Sequence, residues 1–146
     1  MFESIKNILF GESKNTNTNS SPFSIFSNSR SSNNRCAYKL VSFEQARDMI
    51  ENEQVILIDV RTKSEYDLMH IKNAINIPVT QIEQKIFPIE QTKPIMVYCS
   101  SGSRSKNAIM ILNSLGYTNI YIWEYGALAN FPYKNMLVYG ENGKIV

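Results

Sequence analysis

Short continuous apolar runs recur along the chain, separated by stretches with helical spacing. Val55-Ile56-Leu57-Ile58, Ile95-Met96-Val97-Tyr98 and Ile120-Tyr121-Ile122-Trp123 are such runs. Runs of this length, bounded by turn residues or by Pro94, read as strands covered on both faces. Residues 38–41 and 74–77 predict two further short strands, the second stopped by Pro78. Between them, Ser42 and Gln45 fit a capping box that opens a helix through Phe43, Ala46, Met49 and Ile50. Ser64 is placed to cap a short helix carrying Glu65, Tyr66 and Leu68, and residues 80–87 form another helix. Ala108, Ile111, Leu112 and Leu115 fall at i, i+3, i+4 and i+7, one face of an amphipathic helix that Gly116 ends. A brief helix over 125–130 and a hairpin over 136–146, turning at Glu141-Asn142-Gly143, complete the pattern. Strands alternating with helices predict an α/β fold with a mostly parallel sheet and helices on both faces. Ligands of such sheets bind beyond the carboxyl ends of the strands, and Asp59, Arg61 and Cys99 lie at such ends.

The periodicity begins only near Tyr38. Residues 1–37 read as a disordered tail rich in Ser and Asn, with a short helix at its start that sets Phe2, Ile5 and Leu9 on one side. Glu3 ahead of the apolar residues argues against a secretory signal, and Glu3 and Glu12 argue against an organelle transit peptide. Residues 38–146 are then the folded domain. Composition adds exclusions. A net charge of +2 in 146 residues gives no case for nucleic acid or a polybasic membrane contact. No apolar run reaches the length of a membrane span. Cys36, Cys99 and His70 are the only Cys and His residues, too few for a zinc site of the usual kind and a poor disulfide framework. A cysteine expected to act as a thiolate favours a reducing compartment, and the cytoplasm is the expected location. Cys36 at the domain edge reads as an inert residue or as a resolving thiol.

The chemistry concentrates in Cys99-Ser100-Ser101-Gly102-Ser103-Arg104-Ser105, a small-residue loop between a predicted strand and a predicted helix. The first N–H groups of a helix lack partners inside it, and with successive loop amides they form a concave anion site. Arg104 adds a permanent positive charge. A thiolate is an anion, so this setting favours the reactive form of Cys99. The expected roles are Cys99 as nucleophile, Ser100, Ser101, Gly102, Ser103 and Arg104 as the anion-binding loop, and Asp59, Arg61 and Ser105 as its supports. His70 reads as structural, since an ionised thiolate needs no general base.

Four stretches in this order and spacing carry a resemblance: Ile58-Asp59-Val60-Arg61 with Glu65-Tyr66; residues 70–78, His70-Ile71-Lys72-Asn73-Ala74-Ile75-Asn76-Ile77-Pro78; residues 97–105; and Leu115-Gly116-Tyr117 with Gly126. Over roughly residues 38–133 the chain resembles a single-domain rhodanese. Met69 and Asn73 stand where that family usually has Gly, and Phe131 stands in the place of a frequent Trp. Asn tolerates the left-handed conformation, so the turn at Asn73 survives.

The resemblance implies a five-stranded parallel α/β domain whose single cysteine carries sulfur as a persulfide. Cys99 is then the nucleophile of a sulfurtransferase that needs no cofactor or metal. Its donor is thiosulfate or a similar small anion, and its acceptor is cyanide, a thiol or a protein. The alternative is a sulfur-relay or interaction module whose client is another protein; fold does not separate the two. Cysteine phosphatases, some on a rhodanese-like fold, place five residues between nucleophile and loop arginine. Here only Ser100, Ser101, Gly102 and Ser103 intervene, a tighter ring that suits a sulfur atom better than a tetrahedral phosphate.

Overall fold

The computed structural model describes residues 37–140. The short N-terminal helix, the tail up to Cys36 and the turn at Glu141-Asn142-Gly143 lie outside the described residues. The strands are β1 (Lys39–Leu40), β2 (Ile56–Asp59), β3 (Met69–Ile71), β4 (Ile75–Asn76), β5 (Ile95–Tyr98), β6 (Ile120–Ile122) and β7 (Leu137–Tyr139). The helices are α1 (Phe43–Glu51), α2 (Lys63–Leu68), α3 (Val79–Glu83) and α4 (Ser103–Ser114). Five strands form one parallel sheet in the order β1-β6-β5-β2-β4.

Side-chain alternation divides the core into two layers. Leu57, Met96, Tyr98, Tyr121 and Trp123 point to one face, where α1 brings Ala46, Met49 and Ile50. Ile58, Ile95, Val97, Cys99, Ile120 and Ile122 point to the other, where α3 brings Val79 and Ile82 and α4 brings Ala108, Ile109 and Leu112. Period-two strands buried on both faces explain why the sequence shows continuous apolar runs rather than alternation. The capping box of α1 is present as expected, with Ser42 Oγ accepting from Gln45 N–H at 3.0 Å and Gln45 Oε1 accepting from Ser42 N–H at 2.9 Å.

Several local expectations are corrected. The cap of α2 is Thr62 rather than Ser64, because Thr62 and Glu65 make the reciprocal bonds of a second capping box. α3 starts at Val79 and ends at Glu83, short of Phe87; Lys85 takes a left-handed φ of 65°, and Phe87 turns edge-on to Tyr117 at 5.1 Å. The buried stripe of α4 is Ser105, Ala108, Ile109 and Leu112. It is rotated from the apolar stripe because it includes a serine, and Ile111 and Leu115 are only half-buried. Residues 125–130 are not one helix. Two 3-10 turns, Glu124–Gly126 and Leu128–Asn130, flank an extended Ala127, whose neighbours Gly126 and Leu128 give their carbonyl and N–H to Cys99. The described arm of the expected C-terminal hairpin, β7, pairs antiparallel with β3, a strand not expected from sequence. Asn73 adopts φ 74°, so the turn there does survive without glycine.

The topology locates a crevice. β2 and β5 are neighbours, with Asp59 opposite Tyr98 in register. The chain leaves β2 toward α2, where Tyr66 packs on the first layer. It leaves β5 toward α4, which packs on the second. Connections that diverge to opposite faces leave a gap above the carboxyl ends of two adjacent strands.

Candidate active site

Cys99 directly follows β5 and is fully buried. Its backbone is held on both sides by the 124–128 segment. Cys99 N–H donates to the Gly126 carbonyl at 3.0 Å, and Leu128 N–H donates to the Cys99 carbonyl at 2.8 Å. The sulfur is enclosed by the loop that follows. Gly102 N–H donates to Sγ at 3.0 Å and Ser105 N–H at 3.3 Å, with Ser105 Oγ 3.6 Å away. The N–H groups of Ser101, Ser103 and Arg104 have no protein acceptor among the described residues. They belong to the loop and the first turn of α4, where intrahelical acceptors do not exist.

Gly102 makes this geometry possible. It caps α4 with φ 109°, and a Cβ there would lie 2.6 Å from the Tyr125 carbonyl oxygen. Only glycine combines that φ with that approach. Ser105 Oγ lies 3.1 Å from both the Gly102 and Gly126 carbonyls, which ties the loop to the 124–128 segment. Trp123 Nε1–H donates to the Ala127 carbonyl at 2.9 Å, and the ring packs between Tyr98, stacked at 5.6 Å, and Phe131, tilted at 4.8 Å. The loop therefore rests on the aromatic core. Beside it runs a groove of about 530 Å³ whose walls include Tyr38, Ile109, Ser101, Gly102 and Tyr125; Cys99 does not line it.

Two ion pairs flank the crevice. Asp59 and Arg61 are both buried, and Arg61 Nη2 lies 2.7 Å from Asp59 Oδ2. Arg61 N–H and Nε–H also donate to Asp59, and Nη2 donates to the Met69 carbonyl at 2.6 Å. Burial opposes the Arg61 charge, and the hydrogen bond and charge of Asp59 outweigh it, so the guanidinium pKa is raised. This pair fixes the turn after β2 and the start of β3. The Tyr98 hydroxyl beneath it accepts from Ile71 N–H at 3.1 Å, and its burial pushes its pKa well up.

The second pair crosses between the two helices. Arg104 Nη1 and Nη2 donate to Glu65 Oε1 at 2.8 Å and Oε2 at 3.1 Å, and Nη2 is 3.5 Å from Ser100 Oγ. Glu65 is the same residue that closes the α2 capping box through Thr62 N–H at 3.0 Å. The Arg104 hydrogen bond is the main reason the Glu65 carboxyl is held down at about 2, and the Thr62 bonds add to it. The sequence shows Glu65 only as part of a motif and as a residue of a short helix. Its partner lies 39 residues away, which no local spacing reveals. His70 is buried on β3, with Nδ1 2.7 Å from the Tyr66 carbonyl and its ring stacked on Tyr66 at 3.7 Å. Among the described residues no group of His, Cys, Asp and Glu could hold a metal ion, and no helix is long and apolar enough to cross a membrane.

A profile of the rhodanese-like domain family matches residues 42–129. The chain is 26% identical over 84 residues to a thiosulfate sulfurtransferase, GlpE, of Coxiella burnetii, covering 58% of this chain and 78% of that one. It is 30% identical over 87 residues to a tRNA uridine(34) hydroxylase of Buchnera aphidicola, covering 56% of this chain and only 28% of that much longer protein. Among solved structures it is similar to a rhodanese-related protein of Thermoplasma volcanium, with TM-score 0.55, 30% identity, and coverage of 64% of this chain and 90% of that one. The family profile spans more than half of the sequence and includes the crevice and its cysteine, so the chain belongs to the rhodanese-like domain family.

Proposed function

We propose that the protein is a sulfurtransferase in which Cys99 carries sulfur as a persulfide. The observation that carries this reading is the convergence of the Gly102 and Ser105 N–H groups on the Cys99 sulfur, inside a loop with further open amides. Such donors stabilise a thiolate, and they stabilise the charge of a persulfide formed on it. In the first half-reaction the Cys99 thiolate attacks the outer sulfur of thiosulfate or a related donor. The sulfur–sulfur bond of the donor breaks, and sulfite leaves with the bonding electrons. In the second, cyanide, a thiol or a protein nucleophile attacks the terminal sulfur of the persulfide, and the Cys99 thiolate is restored. Electrons balance within each step, and no oxidant, metal or cofactor takes part. Ser100, Ser101, Gly102 and Ser103 supply the amide cradle, Arg104 borders it in its pair with Glu65, and Asp59, Arg61 and Ser105 hold it in shape. A thiolate nucleophile calls for a reducing compartment such as the cytoplasm.

The ring of four residues between Cys99 and Arg104 supports sulfur transfer over phosphoryl transfer. Assays with thiosulfate and cyanide are expected to show turnover that Cys99→Ser abolishes, and no hydrolysis of an aryl phosphate. Robust phosphate hydrolysis that Cys99→Ser removes would overturn the reading.

A further inference from the structure

We propose that Glu65 is a positioning and specificity-determining residue: it holds Arg104 across the crevice mouth as a neutral pair and so sets how strongly the site selects anionic reagents. The inference deepens the reading of Cys99 as nucleophile and rests on it.

Three observations carry it. The pair joins α2 to the first turn of α4, so it spans the gap above β2 and β5 in which the cysteine lies. Both side chains are about one-third exposed, at 33% and 35%, so a dissolved anion can reach them, whereas the cysteine is buried. Glu65 takes one N–H from each terminal nitrogen of the guanidinium, a forked geometry that fixes the plane of the group. Arg104 Nε–H has no protein acceptor among the described residues and stays available to a ligand. Arg104 also lies close enough to Cys99 for charges on the two to interact, although its pKa is raised chiefly by the hydrogen bond to Glu65.

The consequence concerns substrate charge. With Glu65 ionised, the mouth carries no net charge from this pair, and anion attraction falls to the loop amides. A monoanionic organic persulfide then meets the site without the advantage that a free arginine would give to dianionic thiosulfate. Removing the Glu65 charge unmasks Arg104 and shifts preference toward dianions; removing the Arg104 charge does the reverse.

The test compares Cys99 alkylation by iodoacetate, an anion, with alkylation by iodoacetamide, its neutral analogue of nearly equal size. Both need the same access to the sulfur, so the ratio of rate constants reports charge. Peptide mapping by mass spectrometry separates Cys99 from Cys36. At low salt, Glu65→Gln is expected to raise the iodoacetate/iodoacetamide ratio roughly threefold and Arg104→Gln to lower it by a similar factor. Glu65→Gln/Arg104→Gln, again a neutral pair, returns it near wild type, and Glu65→Asp, which keeps the charge, leaves it near wild type. Salt at about 1 M erases the differences. Thiosulfate turnover, measured in parallel, tests the persulfide reading by itself, because alkylation needs no sulfur transfer. A ratio unmoved by Glu65→Gln and Arg104→Gln, or a Cys99 that neither reagent reaches in any variant, would overturn the proposal.

Discussion

Two acid–arginine pairs flank the same crevice, and they differ in almost everything except chemistry. Asp59–Arg61 is buried, local in sequence, and closed on itself by five hydrogen bonds that include the Met69 carbonyl. Glu65–Arg104 is one-third exposed and joins residues far apart in sequence. Removing one member of a buried pair strands a charge in a medium that solvates it poorly. Removing one member of a rim pair lets water replace it. The first pair therefore belongs to the frame and the second to the site: one holds the strand ends that make the crevice, the other adjusts the charge at its mouth.

The largest expected effect breaks the frame. Asp59→Asn leaves Arg61 charged and buried, and is expected to cost about 3–5 kcal/mol in urea unfolding. Glu65→Gln is expected to cost no more than about 1 kcal/mol in the same experiment. Similar losses from the two substitutions would erase the distinction.

An intermediate effect sharpens it by asking what shapes the loop between the pairs. Gly102→Ala places a Cβ against the Tyr125 carbonyl at 2.6 Å, at a φ of 109°. The strain is expected to cost about 1–3 kcal/mol. It also draws the Gly102 N–H away from the sulfur, so sulfur transfer falls far more than stability does. Unchanged turnover in a folded Gly102→Ala protein would mean that the rim pair, not the backbone, shapes the cradle.

The smallest effect is read in acid. The Glu65 carboxyl is held down to about 2 in the folded protein, from an ordinary value of 4.5. Its contribution is fully present above about pH 4.5 and is lost as pH falls toward 2. The stability difference between wild type and Glu65→Gln is thus expected to shrink over that interval, by no more than about 1 kcal/mol at so exposed a pair. A difference that grows as pH falls would contradict the pairing.

Much of this organisation was legible in the sequence, for reasons that differ by element. The runs at 55–58, 95–98 and 120–123 announce buried parallel strands because both faces are covered. The capping box at Ser42 and Gln45 is a local pattern with a local cause. The loop after Cys99 is equally local, a strand end and a helix start joined by small residues. What stayed hidden depends on distant partners. Three residues, Met69–Ile71, carry no period of their own and become a strand only because Leu137–Tyr139 pairs with them. The buried stripe of α4 departs from its apolar stripe because Ser105 is buried for its bonds to Cys99, Gly102 and Gly126 rather than for its hydrophobicity. The split at Ala127 was invisible because a helix there would have used the Gly126 carbonyl and Leu128 N–H that Cys99 takes. Glu65 is readable as a helix residue in a family motif, but not as the partner of Arg104.

The central claim, that Cys99 carries the transferred sulfur, is tested most directly by mass spectrometry of the intact chain and its peptides after brief treatment with thiosulfate. One added sulfur on the Cys99 peptide, removed by cyanide and absent from Cys99→Ser, is the predicted result. No added sulfur, or sulfur on the Cys36 peptide instead, would contradict it.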